Sequence, residues 1–211
     1  MKFIARLIRT KADARRGIEQ VDMLRKLVID PLQSNCYILG CEHTGEGLVI
    51  DPGGEVFRII KETINLELSI RYILLTHFHF DHTGGAKELR DITKAPVWIH
   101  ELDARGLDFQ PDGYLSDGQK IHLGYFNVIA IHTPGHSPGG VCLHAPGVVF
   151  TGDTLFAGSV GRTDFPGGDH NLLVQGVVRK IFPLGDEIRV YPGHGPNSTI
   201  GRERMSNPFF R

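Results

Sequence analysis

From Leu74 to Gly85 the chain reads LLTHFHFDHTGG, so His77, His79, Asp81 and His82 place four potential metal ligands within one short stretch. A strand alternates its side chains, so His77 and His79 leave a strand end on one face, with Phe78 and Phe80 directed to the other. Asp81 and His82 then fall in the following turn, where Gly84 and Gly85 permit entry into a helix. One histidine in such a place is ordinarily a polar loop residue; three of them with an aspartate in this alternation point to a metal. Imidazole and carboxylate donors without a thiolate suit zinc, iron or manganese. Four ligands from one turn cannot all face a single ion, so further donors are expected from His136 in HTPGHSPGG, Asp153 in FTGDTLF and His194 in YPGHGP. Each of these lies near glycine, which lets the backbone approach a crowded centre.

The elements that must position these residues alternate. RKLVIDPL, SNCYILGCE and GLVIDPGG read as three successive strands forming a meander. EVFRIIKETINLE places Val56, Ile59, Ile60 and Ile64 on one helical face, and IRYILLTH follows as an apolar run expected of a strand buried on both sides. Downstream, AKELRDIT reads as a helix and PVWIH as a strand. YFNVIAIHTPGH and GGVCLHAPGVVFTGD read as strands ending in glycine turns, HNLLVQGVVRKIF as a helix and IRVYPGHG as a strand. The short strand-to-strand links demand a mixed sheet. THFHFDH, TPGH, TGD and PGHG each follow a predicted strand, so four strand ends are expected to converge on one rim.

Composition narrows the class. The chain has 211 residues, 41% hydrophobic and 22% charged residues, and a formal net charge of -1, values of an ordinary globular protein. Such a charge implies no general attraction to nucleic acid or to an anionic membrane. Three cysteines are too few for a disulfide framework, which favours a reducing cytosol, and no apolar run approaches the ~20 residues that span a bilayer. In the first residues Arg6, Arg9, Arg15 and Arg16 recur with helical spacing, as in a transit peptide. Serine is absent there and Asp13 and Glu19 are present, so residues 1–22 are read as an N-terminal extension before a catalytic domain at 23–211.

THFHFDH, PGHSPGG, TGD and GHG, in this order, resemble the metallo-β-lactamase superfamily from NCYIL near Asn35 to the C-terminal NPFF. The resemblance implies an α/β fold, a four-layer α/β/β/α sandwich of two mixed sheets with the site at one edge. It implies two divalent metal ions: His77, His79 and His136 on one, Asp81, His82 and His194 on the other, and Asp153 bridging both. A water shared by two cations loses a proton near neutral pH, because even one zinc lowers the pKa of water to about 7. The expected chemistry is attack of hydroxide on a carbonyl, with Asp81 orienting the nucleophile.

Within the superfamily, TGDTLFAGSVGRTDFPGGD (residues 151–169) resembles hydroxyacylglutathione hydrolases of the glyoxalase II type and their shorter relatives. The persulfide dioxygenase branch carries a similar GRTDF, which makes a mononuclear iron dioxygenase the rival reading. Asp153 in place of a cysteine argues against the commonest zinc β-lactamases, and His79 in place of a glutamate against the diiron flavoproteins. The short tail after His194 leaves little of the helical domain that completes the glutathione site in long glyoxalase II enzymes. The expected substrate is therefore a small-molecule thioester, S-lactoylglutathione or another acyl thiol, with no nucleic-acid or membrane partner and an oligomeric state the sequence does not disclose.

Arg162 is a candidate to bind a substrate carboxylate or to brace the site through Asp164. Asp51, at the end of GLVID, either orients a ligand histidine or caps a turn. His43, His100, His122, His132, His144 and His170 lack the flanking motif and are assigned no part in the site. Phe78, Phe80 and Trp98 are read as core packing, and Cys36 and Cys142 as buried small hydrophobes.

Overall fold

In the segment SNCYILGC, Tyr37 and Leu39 turn to one side of a strand and Ile38 to the other, and this alternation sets the layering of the molecule. The computed structural model describes Val21 and residues 23–211; the rest of the expected N-terminal extension and its arginines lie outside the described residues. Val21 is buried in the central core and donates its N–H to the Pro146 carbonyl at 3.2 Å.

The first sheet begins with the expected meander, β1 (Met23–Ile29), β2 (Ser34–Cys41) and β3 (Glu46–Ile50), all antiparallel neighbours. Helix α1 (Val56–Asn65) crosses to β4 (Ser69–Leu74), which pairs parallel with β3. The short α2 (Phe80–Thr83) and α3 (Ala86–Thr93) lead to β5 (Val97–His100), and α4 (Glu101–Ala104) to β6 (Gly113–Leu115), both parallel additions. The second sheet contains β7 (Lys120–Leu123), β8 (Phe126–His132), β9 (Val141–Ala145) and β10 (Val148–Gly152). After the hairpin β11 (Leu155–Phe156) and β12 (Ser159–Val160) come α5 (His170–Gly176), β13 (Arg189–Pro192), β14 (Ser198–Thr199) and α6 (Ile200–Ser206). The order in that sheet is β14-β13-β10-β9-β8-β7, with β10 and β13 parallel and the other pairs antiparallel.

Three cores separate four layers, so the α/β/β/α sandwich of two mixed sheets is present. Tyr37, Leu39 and Ile50 of the first sheet meet Val128, Leu143 and Phe150 of the second between the sheets. Ile38, Val49 and Ile73 pack outward against α1 and α3, while Cys142, Val149 and Val190 pack against Leu173 of α5 and Ile200 of α6. Fully burying each such aliphatic or aromatic side chain contributes about 1.5–3 kcal/mol. No described helix is long and apolar enough to cross a membrane.

Three local expectations are corrected. In α1 the buried stripe is Val56, Ile59 and Thr63, whereas Ile64 is 68% exposed. At roughly 100° per residue, position 63 returns to within ~20° of Val56 and position 64 overshoots by ~80°. β4 is buried on both sides only at its C-terminal end, because β5 pairs with Ile73 and Leu74 alone. Phe78 and Trp98 pack against the cores as expected, but Phe80 is 77% exposed on the outer side of α2.

Candidate metal centre

β4 runs into His77, β8 into His136, β10 into Asp153 and β13 into His194. Within the second sheet β9 is antiparallel to both β8 and β10, so β8, β10 and β13 all run the same way and end on the same rim. The four expected strand ends do converge there. Gly84 and Gly85 serve differently from expectation: both have negative φ in the right-handed region. Their role is close approach, since a Cβ on Gly85 would lie 2.8 Å from the Pro52 carbonyl oxygen and one on Gly84 2.8 Å from that of Gly53.

The predicted ligands fall into two groups in which ligand atoms lie within 4.8 Å of one another: His77, His79 and His136, and Asp81, His82 and His194. His136 Nε2 is 2.8 Å from His79 Nδ1. His82 Nε2 is 3.3 Å from His194 Nε2, and Asp81 Oδ2 lies 3.0 Å from His194 Nε2 and 3.4 Å from His82 Nε2. Asp153 stands between the groups, with Oδ1 3.5 Å from His82 Nε2 and Oδ2 3.6 Å from His136 Nε2. A Cβ on Gly193 would come within 2.2 Å of Asp153 Oδ1, so only glycine admits the His194 turn here.

The electrostatics suit cations. His77 is fully enclosed; burial, followed by the neighbouring His82, His136 and His79, pushes its pKa well down and keeps the ring neutral. Burial and His136 likewise lower His79. Burial opposes ionisation of Asp81, yet hydrogen bonds from His194 and His82 hold its carboxyl far below the usual carboxylate range. His82 loses solvation, but the carboxylates of Asp153, Asp51 and Asp81 together raise its pKa well above the usual value. Contact with Asp81 likewise raises His194. Two buried atoms of this cluster, His77 Nε2 and Asp153 Oδ1, have no hydrogen-bond partner. Orphaned acceptors of this kind are costly unless something satisfies them. Five imidazoles and two carboxylates converging on one rim, with acceptors left over, fit two metal ions. The protein thus has a His/Asp cluster able to hold a dinuclear centre.

Around the ligands, His82 Nδ1 meets Asp51 Oδ2 at 3.0 Å and His136 Nδ1 meets the Arg162 carbonyl at 2.8 Å. Such outer partners fix ring orientation and tautomer. Thr76, which the sequence reading overlooked, links Asp51 Oδ2 (2.6 Å) to His77 Nδ1 (3.0 Å); its only sequence signal is adjacency to His77. The Arg162 side chain is exposed, forms a bidentate pair with Asp164 (2.8 and 2.7 Å), and lies 3.8 Å above the Phe165 ring. Phe165 in turn meets His79 edge-on at 5.8 Å. His132, four residues before His136, stacks on His100 at 4.1 Å and takes no part in either ligand group.

Residues 29–194 match the family described as the Metallo-beta-lactamase superfamily. Over 205 residues the chain is 36% identical to hydroxyacylglutathione hydrolase GloC of Haemophilus influenzae, covering 86% of this chain and 94% of that one. The solved structure of the BLEG-1 B3 metallo-beta-lactamase superposes with a TM-score of 0.83 at 36% identity, covering 89% of this chain and 99% of the other. TTHA1623 in a di-iron-bound form superposes with a TM-score of 0.75 at 37% identity, covering 88% and 99%.

Proposed function

The chain belongs to the metallo-β-lactamase superfamily, and from that premise we propose that it is a binuclear metal-dependent hydrolase that cleaves a thioester, hydroxyacylglutathione or a related acyl thiol. The observation that carries the two-ion reading is the division of six donors into two groups of three, with the Asp153 carboxylate, a seventh donor, between them. His77, His79 and His136 would hold one ion, Asp81, His82 and His194 the other, and Asp153 both. Zinc suits this donor set first, with iron or manganese also compatible; the di-iron form of TTHA1623 supports a place for iron.

When bound, the ions supply Lewis acidity, bringing a water near ionisation at neutral pH and polarising the thioester carbonyl. The chain's own contribution is placement. Asp81 turns Oδ2 toward His82 Nε2 and His194 Nε2, where it would join them in holding their ion, leaving Oδ1 to accept a hydrogen bond from the attacking water and orient it. His77 and His79, kept neutral by burial, offer lone pairs rather than protons. A thiolate leaves without prior protonation more readily than an amine, since thiols ionise near pH 8.5. That favours a thioester over a lactam in a site whose imidazoles and carboxylates are taken up as ligands. Phe165, edge-on to His79, and Arg162 above its ring would meet the acyl or thiol portion of the substrate.

The test is a substrate panel on the metal-loaded protein: S-lactoylglutathione, shorter acyl thioesters, a β-lactam, and glutathione persulfide with oxygen monitored. Release of thiol from a thioester with two bound ions supports the proposal. Oxygen uptake with sulfite formation and no thioester cleavage refutes it and leaves the mononuclear iron dioxygenase.

A further inference from the structure

The ligands are shared between the layers. His77, His79, Asp81 and His82 follow β4 of the first sheet; His136, Asp153 and His194 follow strands of the second. A centre assembled this way exists only while the two sheets keep their positions at the rim, and the enclosed side chains of Asn35 and Asp103 are among those that cross that gap.

Asn35 on β2 is 1% exposed. Its Nδ2 donates to the carbonyls of Pro192 (2.8 Å) and Gly195 (3.1 Å), and its backbone N–H donates to that of Gly193 (2.7 Å). One residue of the first sheet thereby holds the carbonyls on both sides of His194. Tyr37 Oη and Lys26 Nζ, also from the first sheet, add donors to Pro192 and Gly195, each at 2.6 Å. Asp103 on α4, likewise 1% exposed, does the corresponding work for His136: its Oδ2 accepts from Ser137 Oγ and its Oδ1 from the Gly139 N–H, both at 2.6 Å. A Cβ on Gly139 would lie 2.7 Å from that carboxylate, so the loop is shaped to the contact. Burial pushes the Asp103 carboxyl above its usual range, a penalty that packing alone would not call for.

We propose that Asn35 and Asp103 are positioning residues acting on separate halves of the centre, Asn35 through His194 on the Asp81–His82–His194 half and Asp103 through His136 on the His77–His79–His136 half. The proposal rests on the two-ion reading above. Neither residue is a ligand: each acts through the loop that carries one.

The test titrates zinc into chelator-stripped full-length protein, following stoichiometry and affinity by calorimetry, with thermal melts of the stripped forms alongside. The wild type takes two ions. Asn35→Ala weakens one of them by roughly 10–100-fold and leaves the other unchanged; Asp103→Ala does the same to the other ion. Asp103→Asn restores most of the lost affinity, because its oxygen still accepts from Gly139 and its amide can donate to Ser137 Oγ. Asn35→Ser, smaller but polar, weakens the same ion as Asn35→Ala and gives the result even if the alanine variant does not fold. One equivalent of cobalt(II) added to Asn35→Ala and to Asp103→Ala fills opposite halves and gives different visible spectra, since one half offers three imidazoles and the other a carboxylate and two. If the wild type takes two ions and every variant keeps both affinities, or loses both together, the proposal is overturned. A wild type that binds fewer than two ions overturns instead the two-ion reading beneath it.

Discussion

Asp51 Oδ2 lies 3.0 Å from Nδ1 of His82, and both side chains are closed to solvent. The same oxygen accepts from Thr76 Oγ1 at 2.6 Å, and Oδ1 accepts from the Thr76 N–H at 2.7 Å. Asp51 therefore contacts the candidate ligand His82 directly and reaches His77 through Thr76. It does so from a left-handed backbone, φ 51°, which aspartate adopts more readily than most residues. Both sequence-based readings of Asp51, ligand orientation and turn capping, are open to test at these contacts.

Asp51→Ala should therefore lower metal affinity by roughly 10–100-fold. It should also destabilise the stripped protein by about 1–3 kcal/mol for each buried partner left unpaired. Zinc titration and denaturant unfolding of the apo form read the two effects separately; unchanged affinity would limit Asp51 to a structural part.

Asp153→Ala should abolish turnover and weaken both ions, because Asp153 faces ligands of each half. Metal analysis after gel filtration decides this, and one ion retained at full occupancy would remove Asp153 from the bridge.

Arg162→Ala separates substrate contact from bracing. The guanidinium and its Asp164 partner are exposed, so the pair adds little to stability, while the Arg162 carbonyl that meets His136 survives the substitution. KM for the thioester should rise several-fold with kcat and melting temperature nearly unchanged. A lowered melting temperature with unaltered KM would show bracing instead.

Chelation should lower the melting temperature. An ion present at a thousandfold over its Kd adds about 4 kcal/mol, and in a domain of this size each kcal/mol moves Tm by about 2–4 °C. A drop on the order of 10 °C, reversed by zinc, is the expected result; no change would mean that the cluster binds no ion tightly.

Much of this site was legible in the sequence because its signals are local. The crowding of histidines and aspartate in THFHFDH and a polar turn after each of four strands pointed to the candidate donors and their common rim, although β4 ends at Leu74 and no strand alternation runs through the stretch, and the ordered motifs pointed to the fold. Asn35 and Asp103 escaped notice for a physical reason: their partners are distant carbonyls and loop groups, and nothing in their own surroundings specifies a bond across two sheets; Thr76 escaped because its carboxylate partner, Asp51, is 25 residues away in the chain. Glu203 is similar, a buried carboxylate that accepts from the Gly158 N–H at 2.7 Å and Asn207 Nδ2 at 2.9 Å. Ile64 and Phe80 were misplaced because apolarity alone does not tell a core face from an exposed one when the period is off by a single residue.

The most direct test of the account is thiol release from S-lactoylglutathione by the two-zinc protein under strict exclusion of oxygen. Steady turnover yielding one thiol per thioester consumed, lost on chelation and regained with zinc, is the result predicted here. A protein that leaves the thioester intact without oxygen, yet consumes oxygen when given a persulfide, would contradict it.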